Sequence, residues 1–252
     1  MKKILDILPI MYSDSLEEGM KDRKKLAEEV SRWTGGVITL EPVCLEKGTA
    51  SIEGFFDDAL NTPYILQRVK KAEEEGYAAV VIDCFMDPGL EAARELVNIP
   101  VLGANESACH LAAQVAHKFS VINILPETEN GVRLTMTKNG TINHLASLVT
   151  INIPVLDLEK KRKESVKKIV EASEKAVKED GAYAIVFGCT GMSSLLEEVK
   201  ENLTAKGINV PIIEPLRAAV FNAVMWIMLG ISQSKEAYRP PRQKPRKIDV
   251  EI

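Results

Sequence analysis

Lys71-Ala72-Glu73-Glu74-Glu75-Gly76-Tyr77-Ala78-Ala79-Val80-Val81-Ile82-Asp83-Cys84 is the stretch on which the architecture turns, because the second half of the chain repeats its plan. The later copy runs Lys175-Ala176-Val177-Lys178-Glu179-Asp180-Gly181-Ala182-Tyr183-Ala184-Ile185-Val186-Phe187-Gly188-Cys189. Each opens as a charged helix and stops at a glycine, the residue that ends helices without steric cost. Each then enters a short apolar run of the kind a strand buried on both faces requires. Each closes on a cysteine, eight residues beyond the glycine in both copies. Both continue into a short helix, an Ile-Pro or Val-Pro step (Pro100, Pro211) into a strand, and an alanine-rich helix. Units repeated in this order predict two similar lobes related by a pseudo-twofold axis, with corresponding residues facing across the cleft.

Outward from these copies, short apolar runs alternate with charged amphipathic stretches, the pattern of parallel strands joined by helices. Strands are predicted over Lys3–Leu8, Val37–Val43, Ala78–Asp83 and Val101-Leu102, with helices over Ser15–Trp33, Asn61–Glu75 and Pro88–Val97. A helix over Glu106–Lys118 leads into a second series. Its strands fall at Phe119–Leu125, Ala182–Gly188 and Val210–Ile213, with an apolar stretch at Leu145–Ile153. Its helices fall near Glu129–Lys138, over Lys160–Glu179, from about Met192 to Leu203 and from about Leu216. The fold class expected is α/β, with residues 1–104 plus 216–252 as the first lobe and residues 105–215 as the second. Ser234 to Lys247 carries six Lys or Arg and three Pro, which predicts an extended basic arm. With the apolar helix before it, that arm suits packing along a partner subunit, and a homo-oligomer is expected.

Composition narrows the function classes. A net charge of −4 gives no basic face for nucleic acid, and 5% aromatic residues offer no base-stacking platform. The opening Met-Lys-Lys-Ile-Leu-Asp-Ile-Leu-Pro-Ile is interrupted by Asp6 and Pro9 and lacks a small-residue cleavage site, so it reads as a buried strand rather than a signal peptide. No run reaches the ~18 apolar residues of a membrane span. A cytoplasmic protein without membrane or nucleic-acid partners is expected, acting on a small molecule. The four cysteines, Cys44, Cys84, Cys109 and Cys189, lie far apart with no zinc-like spacing, so free thiols are expected and no metal.

Chemistry gathers at Cys84 and Cys189. Ligands of open α/β sheets collect beyond the carboxyl ends of the strands, where both cysteines fall. Helix-start N–H groups there favour negative charge and are expected to lower a thiol pKa. Inverting a stereocentre beside a carbonyl needs a base on one face of the carbon and an acid on the other. Two sulfurs, each within roughly 3–3.5 Å of that carbon, meet the need without any cofactor. They would stand roughly 7 Å apart across the substrate, beyond disulfide reach. Backbone N–H groups near Thr190 and Gly191 could hold the enolate oxygen.

These residues carry a resemblance. Asp83-Cys84-Phe85-Met86-Asp87-Pro88-Gly89-Leu90 and Gly188-Cys189-Thr190-Gly191-Met192 resemble the two cysteine motifs of the Asp/Glu racemase superfamily. Gly48-Thr49-Ala50-Ser51-Ile52-Glu53 and Pro211-Ile212-Ile213-Glu214-Pro215 are similar to segments of its hydantoin and allantoin racemase branch. The resemblance implies two flavodoxin-like lobes with parallel sheets, catalysis by Cys84 and Cys189, and no cofactor. It implies substrate contacts from Ser51, Phe85, Thr190 and Gly191, and a hydantoin-like cyclic ureide or amino-acid derivative as substrate. Pro9 stands in the stretch that lines the branch's pocket, although Leu8 and Ile10 replace its usual flanking asparagines. Asp83 replaces a usual small residue and would raise the thiol pKa if it faced the site. Glu214 lies at a strand end and is expected to cap the next helix, to shape the pocket, or both.

Other residues point less far. Asp87 before Pro88 is expected as a helix N-cap. Met86 and Met192 should pack against the lobes. His110 and His117 are expected to share one face of a helix, and His144 to stand alone in a loop. Three other function classes remain open: a decarboxylase or other isomerase of the same superfamily protonating through one cysteine, a thiol–disulfide oxidoreductase, and a binding protein without chemistry.

Overall fold

The computed structural model describes residues 1–247; residues 248–252, the end of the expected first lobe's second segment, lie outside the described residues. Eight strands form two parallel four-stranded sheets. The first holds β1 (Lys2–Met11), β2 (Ile38–Leu45), β3 (Ala79–Ile82) and β4 (Val101–Gly103) in the order β2-β1-β3-β4. The second holds β5 (Phe119–Asn123), β6 (Leu145–Thr150), β7 (Ile185–Phe187) and β8 (Ile212–Ile213) in the order β6-β5-β7-β8. The second order is the first renumbered, so the sequence repeat is a repeat of whole lobes. The α/β class, the parallel sheets and the paired lobes are as expected.

Alternation along each strand covers both sheet faces. Ile4, Val81 and Leu102 pack against α1 (Glu17–Trp33) and α8 (Pro215–Leu229), while Leu5, Ile7, Val80 and Ile82 pack against α2 (Phe55–Glu74) and α3 (Leu90–Leu96). In the second sheet Ile122, Ile185 and Phe187 face α6 (Arg162–Lys178) and α7 (Leu196–Ala205). Val121 and Val186 face α4 (Ala104–Val115) and α5 (Glu129–Lys138). Helix α4, which follows the first sheet, thus packs on the second, and α8, which follows the second, packs on the first. That exchange holds the strand ends of both sheets at one cleft.

Three boundaries differ from expectation for identifiable reasons. Helix α2 starts at Phe55, six residues before the expected Asn61, and runs through Pro63. Its start is anchored by the Asp57 carboxylate, which accepts the Glu53 N–H at 2.9 Å. Helix α3 starts at Leu90 rather than Pro88 because Asp87 and Gly89 both take the left-handed conformation, with φ of 49° and 68°. After Cys189 the chain makes a tight 3-10 turn, Thr190–Leu195, before α7, in place of one continuous helix from Met192. The arm folds back at first: Gln233, just before it, bonds Val97, Ile99 and Val101 through its amide, and Tyr238 lies over Arg94, its ring 5.4 Å from the guanidinium. From Arg239 to Lys247 it is exposed.

Candidate active site

Cys84 follows β3 and Cys189 follows β7, corresponding strands of the two sheets. Both are half-buried and both line one cleft of about 820 Å³, its open mouth included. Pro9, Ser51 and Phe85 line it from the first lobe, and Thr190 and Gly191 from the second, so five of the six expected contact residues meet there. Glu214 does not line that cleft. Its carboxylate is used inside the fold, accepting the N–H groups of Leu216 and Arg217 at the start of α8, both at 2.8 Å, and a contact from Ser193. Of the two roles expected for it, the structure shows the cap. The cleft wall is mainly apolar, with Leu8, Ile10, Ile52, Met86, Ile124 and Val132 around the two thiols, and it also carries Ser15, Arg23, Asp83, Thr128 and Glu159.

The thiols do not have the lowered pKa expected of a helix start. Burial pushes Cys189 up to about 11, against the Gly191 N–H, which donates to its sulfur at 3.3 Å and lowers it. Burial likewise pushes Cys84 well up, against a lowering bond from the Met86 backbone, while Cys189 raises it further. Each sulfur therefore receives an N–H from the second residue after it, and in each desolvation outweighs that donor. The Gly191 N–H serves the sulfur rather than the place expected for a substrate oxygen.

The family model described as Asp/Glu/Hydantoin racemase matches residues 24–223. The chain belongs to this family. It is 36% identical over 235 residues to a hydantoin racemase of Paenarthrobacter aurescens, covering 92% of this chain and 94% of that one. It is 38% identical over 196 residues to a hydantoin racemase of Rhizobium meliloti, covering 77% and 79%. The structure of an allantoin racemase from Klebsiella pneumoniae superposes with a TM-score of 0.88 at 34% identity, over 99% of this chain and 97% of that one. By family the chain is an isomerase, a racemase of the hydantoin and allantoin type.

The racemase places Asp83, the residue before Cys84, at the cleft wall with its side chain fully buried, where it raises Cys189. It is paired: Arg23 of α1 donates from Nε to Asp83 at 2.6 Å and from Nη1 to the Gly19 carbonyl at 3.0 Å. Sequence reasoning missed Arg23, although its spacing with Leu26 and Val30 puts it on the buried stripe of α1, where a charge needs a partner. Asp6, one strand over, is fully buried with both carboxyl oxygens unpartnered. Burial first, and then Asp83, push its pKa well up, against Arg23.

Sequence reasoning also missed Asn61. Its side chain donates to the Pro9 carbonyl and to Thr49, and accepts the Thr49 N–H, all at 2.8 Å. It thereby hangs the Ser51 loop on the end of β1. Gly48 in that loop has φ of 135°, and a Cβ there would sit 2.6 Å from the Asn61 oxygen, so the turn needs glycine. The lobes meet across the cleft through the Thr190 hydroxyl on the Asp83 carbonyl and the Val155 N–H on the Glu53 carboxylate.

The remaining expectations, Met86 excepted, are placed away from the cleft. Asp87 caps a helix, but α4 of the other lobe rather than α3. Met192 is buried in the second core, and Met86 lines the cleft. His144 is not alone: its ring stands edge-on to His117 at 6.2 Å, while His110 meets the Asn139 carbonyl. Among the described residues no cluster of His, Cys, Asp or Glu is placed to hold a metal ion, and no helix is long and apolar enough to cross a membrane.

Proposed function

We propose that the racemase inverts the ring stereocentre of a 5-monosubstituted hydantoin with an apolar substituent, using Cys84 and Cys189 as an opposed acid–base pair without a cofactor. The observation that supports it is the position of both cysteines at corresponding strand ends, lining one cleft from different lobes. One thiolate takes the ring proton, breaking the C–H bond and forming S–H. The electron pair moves into the adjacent carbonyl as an enolate. The opposite thiol delivers its proton to the other face and is left as thiolate, so the proton count is unchanged and the sulfurs have exchanged roles. The N–H of Thr190 opens a helical turn, has no acceptor within it, and suits the developing oxygen charge. The apolar part of the wall, Leu8, Ile10, Ile52, Met86, Ile124 and Val132, suits a hydrocarbon substituent, because an unpaired polar group against it would lose its hydration.

Single enantiomers of 5-benzylhydantoin, allantoin and free amino acids, incubated in D₂O, test this. Loss of optical rotation with deuterium at the stereocentre, fastest for the apolar hydantoin, is expected. Cys84→Ser and Cys189→Ser should each abolish racemisation. Carbon dioxide release from a malonate would instead indicate a decarboxylase, and full activity in either cysteine variant would refute the paired mechanism.

A further inference from the structure

Two buried carboxylates occupy matching places at the foot of the two cysteine turns, although different parts of the chain supply them. In the second lobe Glu214 stands at the end of β8 and caps α8. Its Oε1 also lies 2.8 Å from the Ser193 hydroxyl, which lies 2.6 Å from the Thr190 carbonyl. Glu214 therefore holds the turn that carries Cys189. In the first lobe the residue at the end of β4 is Gly103, which has no side chain to offer. Asp87 fills the space instead: a Cβ on Gly103 would fall 2.5 Å from the Asp87 carboxyl carbon.

Asp87 reaches there from the cysteine turn itself. Its N–H donates to the Cys84 carbonyl at 3.0 Å, and its carboxylate accepts the N–H groups of Asn105 and Glu106 at the start of α4, both at 2.9 Å. The left-handed backbone at Asp87 is a conformation that side chains other than glycine seldom adopt. Two charge-accepting bonds to a helix start hold it there. Thr135 of α5 adds a bond to the Met86 carbonyl, so the whole Cys84 turn hangs on elements that pack on the second sheet.

From this we propose that Asp87 and Glu214 are paired positioning residues, Asp87 setting the place of Cys84 and Glu214 that of Cys189. The proposal rests on the two-cysteine racemase chemistry. Neither carboxylate needs to touch substrate. Each fixes a sulfur whose distance to the reacting carbon governs proton transfer, and a misplacement on the order of 1 Å costs about 10²-fold in rate.

Isotope exchange separates positioning from general support. A racemase lacking one working cysteine still exchanges the ring proton of the enantiomer that faces the other. Cys84→Ser and Cys189→Ser should thus exchange opposite enantiomers of 5-benzylhydantoin in D₂O. Asp87→Asn leaves an amide donor facing an N–H, and should reproduce the Cys84→Ser pattern, with racemisation down about 10²-fold and KM little changed. Glu214→Gln should reproduce the Cys189→Ser pattern. Moving the carboxylate to the strand end, as in the second lobe, with Asp87→Gly plus Gly103→Glu, should restore racemisation; this pair carries the test if Asp87→Asn does not fold. Equal loss of both exchanges in folded Asp87→Asn, unchanged racemisation in it, or no recovery in the relocated pair overturns the positioning role alone. A wild-type protein that exchanges neither enantiomer overturns the two-cysteine chemistry and this inference with it.

Discussion

Replacing Arg23 by Met tests the charge arrangement beneath the cleft. Arg23 and Asp83 are almost fully buried, with side chains 5% and 0% exposed, and the Asp83 oxygen that faces away from Arg23 has no hydrogen-bond partner. Methionine keeps most of the arginine stem and its packing, so the loss falls on the charge. Removing one partner of such a pair strands the other, at a cost of about 3–5 kcal/mol. The bond to the Gly19 carbonyl adds about 1 kcal/mol. Arg23→Met should therefore destabilise the protein by about 4–6 kcal/mol at pH 8, a large part of a typical domain's margin. Arg23→Met combined with Asp83→Asn removes the stranded charge and should recover more than half of the loss. Urea unfolding of the wild type, both single variants and the double variant gives the coupling energy directly. A loss below about 1 kcal/mol in Arg23→Met, or no recovery in the double variant, would show that the pair is not the desolvated unit described.

Stability should also fall as pH rises from about 4 to 7. Burial pushes the carboxyls of Asp87 and Glu214 up to about 7, so over this window the folded chain keeps protons that the unfolded chain releases. Each group contributes at most about 1.4 kcal/mol per pH unit, and Asp6 acts with the same sign. Asp87→Asn and Glu214→Gln should each flatten the dependence of the urea midpoint on pH, and a slope unchanged by both would refute the assignment. Because burial raises both thiols, kcat/KM should climb between pH 6 and 8 as thiolate becomes available, toward tenfold per unit; a flat profile argues against a thiolate base. Gly188→Ala should destabilise by about 1–3 kcal/mol in thermal melts, since its Cβ would lie 2.7 Å from the Ile122 carbonyl oxygen, a backbone atom with little room to move.

The alternation of strands and helices was legible in the sequence because each element carries its own period. The Ala79–Ile82 run is continuously apolar, as a strand covered on both faces must be, and the arrangement recurs at Ile185–Phe187. The repeat also puts Cys84 and Cys189 at equivalent strand ends, since a parallel strand must end where its crossover helix begins. Pro9, Ser51, Phe85, Thr190 and Gly191, expected from the resemblance of short motifs to the family, all line the same cleft.

Tertiary structure alone decided what those elements do to one another. The Arg23–Asp83 pair joins residues 60 apart in sequence, and the Asn61 bond to Pro9 spans 52. Asp87 reads locally as a cap for the helix that follows it, yet it reaches 18 residues ahead to α4, because the empty place above Gly103 is visible only once both strands are packed. The thiols moved furthest from expectation. A helix start lowers a cysteine pKa through a nearby dipole, which sequence shows, whereas burial raises it through the loss of water, and how much water remains depends on every wall of the cleft.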